Sequence, residues 1–176
     1  MNTEFIYIVY HKPKGIVTTT EKVEGNIIDA VNHPEKLIPV GRLDKNSEGL
    51  ILLTNDKASI NKIINPEFEH EKEYVVTLNF PVRNQFLKQM ADGMNLGDEI
   101  TLPCTATLEP NAKRVFRIIL KQGLHRQIRR MCTLGGYQVI KLQRVRIMNI
   151  HLGKLKPAEW RNLTDEERNE LLGQLK

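Results

Sequence analysis

Cysteine is nearly absent from this chain of 176 residues, which holds only Cys104 and Cys132. Two isolated cysteines make no disulfide framework and no ligand cluster at zinc spacing, so a secreted disulfide scaffold and a structural zinc module are both excluded. Reduced, buried thiols are expected instead. No apolar stretch approaches the roughly 20 residues needed to cross a bilayer, and the run from Phe5 to Tyr10 is too short for a signal-peptide core. A cytoplasmic protein without membrane attachment is the expectation. Neither a phosphate-binding P-loop nor a dinucleotide fingerprint occurs, and no cofactor or metal is called for.

The most telling absence is of acid. From Lys113 to Arg146 there are ten Lys and Arg residues and no Asp or Glu, although the whole chain carries 26 basic and 21 acidic residues. The remainder therefore holds 16 basic against 21 acidic residues and is net negative. A charge run is ordinarily a solvated face, but such faces mix signs. An unbroken basic segment is the footprint expected of a polyanion partner. Nucleic acid is favoured over phospholipid, because no basic amphipathic helix with Trp or Phe anchors is present.

What is present reads as an ordinary globular chain, 40% apolar and 27% charged, sized for one domain or two small fused lobes. A lobe boundary is placed in the stretch from Asn65 to Glu71. Apolar alternation and turn residues predict strands at Phe5–Tyr10, Leu50–Leu53, Glu73–Leu78, Ile100–Leu108, Val115–Lys121 and within Gln138–Leu152. Helices are expected at Ile27–Val31, Asp56–Asn65, Asn84–Asp92, Leu124–Leu134 and Thr164–Leu175. Pro66, Gly93 and Gly135-Gly136 supply the stops, and Thr164-Asp165-Glu166-Glu167 forms a capping box. Irregular mixing of strands and helices argues α+β rather than a doubly wound fold.

One stretch concentrates chemistry: Gly41-Arg42-Leu43-Asp44-Lys45-Asn46-Ser47-Glu48-Gly49 runs directly into Leu50-Ile51-Leu52-Leu53. A polar turn with one arginine and one aspartate would thus sit at the rim of a buried strand. By itself Asp44 is more economically read as a turn former. It does not stand by itself, because Lys12-Pro13-Lys14-Gly15 precedes it, and Lys72-Glu73-Tyr74 and Arg126-Gln127-Ile128-Arg129-Arg130-Met131 follow.

In this order and approximate spacing, the four motifs resemble the RsuA/RluF family of RNA pseudouridine synthases, and the resemblance covers nearly the whole chain. His70-Glu71-Lys72-Glu73-Tyr74 and the segment from Lys141 to Asn149 are most similar to the RluF branch, which modifies large-subunit ribosomal RNA. The resemblance implies a catalytic domain over 1–176 without the N-terminal S4-type RNA-binding domain that many members carry. It implies a mixed, largely antiparallel sheet with flanking helices. The implied reaction is the cofactor-free isomerisation of uridine in structured RNA, ribosomal RNA first and transfer RNA second, by a monomer.

The resemblance also assigns roles. Asp44 is the catalytic carboxylate, a residue type able to attack covalently or to stabilise developing positive charge. Arg129 is expected to hold it through charge-assisted hydrogen bonds, countering the desolvation that burial against a base imposes. On a helix its neighbours Arg126 and Arg130 would point further outward and meet phosphate. Tyr74, otherwise a packing residue of a strand, is implied to be catalytic, stacking on the target base and helping to remove the proton from carbon 5 after rejoining. Arg42 would fill the gap left by a flipped uridine, or else pair with Asp44. Lys12, Lys14 and Lys72 are read as contacts to the RNA backbone, and Ile128 and Leu142 as apolar walls that would otherwise be plain core. Two rivals use the same features: a non-catalytic RNA-binding module, and a base-removing glycosylase.

Overall fold

Period-two alternation explains why Leu50-Ile51-Leu52-Leu53 is apolar throughout. In the computed structural model, which describes residues 4–175, these residues lie on a strand covered on both faces. The first half of the chain runs β1 (Tyr7–Lys12), α1 (Ile27–Val31), β2 (Ile38–Val40), β3 (Glu48–Thr54), α2 (Lys57–Ile64), β4 (Lys72–Leu78) and α3 (Asn84–Asp92). The second runs β5 (Thr105–Leu108), β6 (Val115–Leu120), α4 (Gln127–Leu134), β7 (Val139–Ile147), β8 (Ile150–His151), β9 (Trp160–Asn162) and α5 (Asp165–Gly173). The strands form one sheet in the order β5-β6-β4-β7-β3-β1-β9, with β2 added to β3 and β8 to β7. Every pairing between these strands is antiparallel except β3 with β7. The architecture is the α+β class expected.

Three cores hold the sheet. Leu50 and Leu52 join Val9, Ile63, Ile150 and Leu171 on one face of β3, while Ile51 and Leu53 join Ile8, Tyr10, Ile27 and Val31 on the other. Each face is covered by helices, so alternate residues serve different cores and none can be polar. The third core packs Val76, Leu78, Phe116 and Ile118 of β4 and β6 against Phe86 and Met90 of α3 and Ile128, Met131 and Cys132 of α4. Between Asn65 and Glu71 the chain makes a short 3-10 turn, Pro66–Phe68, on its way from α2 to β4. The sheet itself continues across that point through β7.

The two halves of the sheet meet at a narrow junction. Strands β3 and β7 share only the pairs Glu48↔Gln143 and Gly49↔Arg144. Gly49 has φ +109°, and a Cβ there would lie 2.2 Å from the Arg144 carbonyl oxygen. Only glycine tolerates both the left-handed backbone and so close an approach.

Several boundaries differ from those the sequence predicts, each for a local reason. The strand expected over 100–108 is confined to Thr105–Leu108, since Pro103 cannot donate to a ladder. The three-residue strands β2 and β9 were not anticipated, being too short to show a period. The helix expected from Leu124 starts at Gln127, because Arg126 adopts the left-handed conformation, φ 48° and ψ 37°. The capping box at Thr164 forms as expected, with both reciprocal hydrogen bonds present.

Candidate active site

Asp44 lies in the loop between β2 and β3, and this loop is fastened from both sides. The Lys45 carbonyl accepts from Gly15 N at 2.8 Å and from Lys12 Nζ at 3.2 Å. Thr18 Oγ1 donates to the Leu43 carbonyl at 3.0 Å, and Ser47 N closes the turn onto the Asp44 carbonyl at 2.9 Å. From the opposite side Arg129 Nη2 donates to the Asn46 carbonyl at 3.2 Å and to Ser47 Oγ at 3.3 Å. A loop bonded at Leu43, Asp44, Lys45, Asn46 and Ser47 holds the carboxylate at a defined place.

These bonds correct the expected pairing. Arg126, not Arg129, forms the ion pair with Asp44, with Nη1 3.4 Å from Oδ2 and both side chains partly exposed. The late start of α4 is the cause: its left-handed residue sends the Arg126 side chain to Asp44 rather than outward along a helix. Arg129 fastens the loop that carries Asp44 instead of gripping its carboxylate. Its Nε is buried without a partner, and burial lowers its pKa, with the Arg126 charge adding to that and the Asp44 charge opposing it.

Lys12 is a second correction. Expected on the surface facing RNA, it is fully buried and donates to the Pro13 and Lys45 carbonyls. The first motif therefore braces the Asp44 loop from below. Burial pushes the Lys12 pKa down to about 8, against the attraction of Glu48 and Asp44. The unfolded chain keeps an ordinary lysine pKa and so binds more protons between the two values. Stability contributed at this site is thus expected to rise from about pH 8 to about 10.5, by on the order of 3 kcal/mol. Urea melts of wild type and Lys12→Met across that range should show the wild type gaining on the variant; parallel curves would place the neutralisation elsewhere.

The loop opens onto a cleft of about 560 Å³. Its lining includes Arg42, Lys45, Lys72, Lys121, Arg126, Arg129 and Arg144, and its one carboxylate is Asp44. Tyr74, half-buried, and the buried Ile128 and Leu142 also line it. The two apolar residues belong to the core shared by α3 and α4 as well, so they are wall and core at once. Arg42 is exposed, and among the described residues only Arg126 forms an ion pair with Asp44. Lys72 is pushed below its ordinary pKa by burial, with the Arg144 charge adding to the effect.

Besides Lys12, two expected contacts lie outside the lining. Lys14 is exposed and reaches the Ile140 carbonyl at 3.4 Å. Arg130, expected to meet phosphate, bonds instead to the Asp98 carboxylate and to the Leu96 and His125 carbonyls. More broadly, four of the ten cations between Lys113 and Arg146 are paired with acids from elsewhere in the chain: Arg117 with Glu73 and Glu109, Arg126 with Asp44, Arg130 with Asp98, and Arg146 with Glu71 and Glu73. Folding neutralises these four, and of the other six Lys121, Arg129 and Arg144 line the cleft. Both cysteines are free thiols, and burial raises the pKa of Cys104 to about 11 and of Cys132 to about 12.

Arg144 was missed by sequence reasoning. In a regular strand Arg144 and Arg146 would share a face, but β7 is irregular here: Arg146 pairs with Glu73 and Arg144 with Tyr74, leaving Val145 as an extra residue. The bulge reverses the parity. Arg146 joins Glu73 away from the cleft, while Arg144 takes the face of Tyr74. Ser47 and the Asn46 carbonyl were also missed, because nothing in their local sequence marks them as partners of an arginine more than 80 residues away.

A sheet of this topology with an aspartate, a tyrosine and a basic lining in one cleft defines a class. The family of RNA pseudouridylate synthases matches residues 6–134, and the chain belongs to it. The dual-specificity RNA pseudouridine synthase RluF of Salmonella typhi is 48% identical over 165 residues, which are 93% of this chain and 56% of that protein. This chain therefore spans little more than half the length of that relative. The ribosomal large subunit pseudouridine synthase B of Bacillus subtilis is 31% identical over 171 residues, covering 93% of this chain and 70% of the relative. The crystal structure of a pseudouridylate synthase matches the fold with a TM-score of 0.88 at 31% identity, over 96% of this chain and 74% of the other.

Proposed function

We propose that this protein isomerises uridine to pseudouridine in structured RNA, and that large-subunit ribosomal RNA is its substrate. The observation that carries this reading is the placement of Asp44 as the lone carboxylate among seven cations, beside Tyr74, in a cleft of nucleotide size. Cations draw in the phosphate backbone. The carboxylate serves the reaction. The choice of ribosomal RNA leans on the name of one relative, the ribosomal large subunit pseudouridine synthase B.

In this reading a uridine leaves its stack and enters the cleft, where its ring lies on Tyr74 between the apolar walls Ile128 and Leu142. Arg42, exposed next to Asp44, is free to occupy the space the base has left. The bond from the ribose anomeric carbon to N1 of uracil breaks and a bond to C5 forms. The proton on C5 is lost and one is gained at N1, so atoms balance without a cofactor. Asp44 meets the electron-poor sugar or base during bond exchange, and Arg129 keeps its loop in place.

The test uses ribosomal RNA labelled with tritium at C5 of uridine. Release of tritium to water, with recovery of pseudouridine from the product, supports the reading. An abasic product would identify a glycosylase, and no release from either naked RNA or assembly intermediates would overturn the assignment. RNA binding is expected to be salt-dependent: with Arg126 paired to Asp44 and Arg129 bonded to the loop, about four cleft cations remain for phosphate, and affinity should fall on the order of 10²-fold between 50 and 200 mM salt. Filter binding that stays level across that range would separate the basic cleft from RNA recognition.

A further inference from the structure

Arg144 is 4% exposed, and the protein occupies only one of its donors. Its Nε donates to the Leu50 carbonyl at 2.8 Å, while Nη2 is buried with no partner. No carboxylate among the described residues pairs with it or with Lys72. A buried guanidinium with neither counter-ion nor full hydrogen bonding is costly unless a ligand completes it. The junction of β3 and β7 builds this arrangement. Gly49 lets the two strands touch, the Leu50 carbonyl fixes the guanidinium, and the bulge at Val145 directs Arg144 to the side of Tyr74. Lys72 lies two residues before Tyr74 on β4 and lines the same cleft. Two unpaired cations flanking one tyrosine ask for an anion rather than for a neutral carbonyl of the base.

We infer that Arg144 and Lys72 together hold the phosphate of the same nucleotide whose base stacks on Tyr74. This rests on the reading of the cleft as a uridine site and adds what seats the nucleotide there. Asp44 lines the same cleft, and a phosphate anchored at the sheet junction would keep the ribose from drifting out of its reach. The sheet's β3–β7 junction then serves both halves of the task, because β3 also begins at the end of the Asp44 loop.

Binding of uridine 5′-monophosphate, uridine and inorganic phosphate is measured by chemical-shift titration, which needs no turnover. Wild type is expected to bind the monophosphate about tenfold more tightly than uridine, the scale of a charge-assisted contact. Lys72→Met and Arg144→Gln should each erase most of that preference while leaving uridine affinity within about twofold. Arg144→Gln also weakens the bond to Leu50, so a folding defect there is checked by melting, and Lys72→Met alone then decides. Equal affinity for monophosphate and uridine in wild type, including no detectable binding of either, overturns the inference. So does a preference that survives Lys72→Met, or inorganic phosphate displacing the monophosphate equally in wild type and variant. Loss of preference in a protein that releases no tritium would retain the phosphate pair and reject the isomerase reading; tritium release with no preference would do the reverse.

Discussion

Asp44→Asn is expected to lower tritium release from C5-labelled ribosomal RNA by at least about 10³-fold, the scale of removing a group that answers developing charge. Asparagine keeps the shape and an acceptor for Arg126 but has no charge to offer the reacting nucleotide. Its loop is bonded through the Leu43, Lys45 and Asn46 carbonyls and Ser47, none of which involves the carboxylate. The fold around it should therefore be unchanged. RNA affinity should stay within about fivefold of wild type, because the lost ion pair with Arg126 is partly exposed and such pairs contribute little. Turnover within tenfold of wild type would remove Asp44 from the chemistry. Loss of binding alongside turnover would mean that the carboxylate organises the cleft rather than reacting in it.

The second large effect is expected at Gly49→Ala, and it acts through the backbone. The added methyl would meet the Arg144 carbonyl oxygen at 2.2 Å, its amide nitrogen at 2.7 Å and its carbonyl carbon at 3.0 Å. These are backbone atoms of a paired strand and cannot swing aside as a side chain would. The φ of +109° adds strain for any residue with a Cβ. Together these should destabilise the protein by about 4 kcal/mol, lowering Tm by roughly 8–16 °C for a domain of this size. If the sheet parts at β3–β7 rather than unfolding, turnover would fall with little change in Tm, since the Asp44 loop and Arg144 sit on either side of that junction. A variant with wild-type Tm and turnover would show that the two strands are not in contact as described.

Much of this arrangement was legible from local pattern. Alternation and turn residues place β3, β4 and β6 and helices α1, α2 and α3 to within a residue or two, because each has a periodic apolar set with a capped or proline-stopped end. The four motifs also named part of the cleft: Arg42, Asp44, Lys72, Tyr74, Arg126, Ile128 and Arg129 all line it, as does Leu142, which the resemblance added as an apolar wall. Lys12 shows the limit of that method. A lysine in a basic motif reads as a phosphate contact until the fold buries it under the Lys45 carbonyl, and nothing at Lys12-Pro13 announces a partner 33 residues away. Arg126 and Arg129 show another, since a three-arginine helix face says which side chains are near one another but not where a left-handed first residue turns one of them.

The order of apolar and polar residues along the chain, by itself, determined the class of fold, the polar turn that carries Asp44 and the excess of positive charge, since these depend on spacing within a segment. Tertiary structure decided which charges remain available. It neutralised Arg117, Arg130 and Arg146 with distant carboxylates, buried Lys12 beneath the Asp44 loop, and through the bulge at Val145 turned Arg144 into the cleft. Such outcomes depend on contacts between residues far apart in sequence and on a one-residue change of strand parity, and a local pattern carries no record of either.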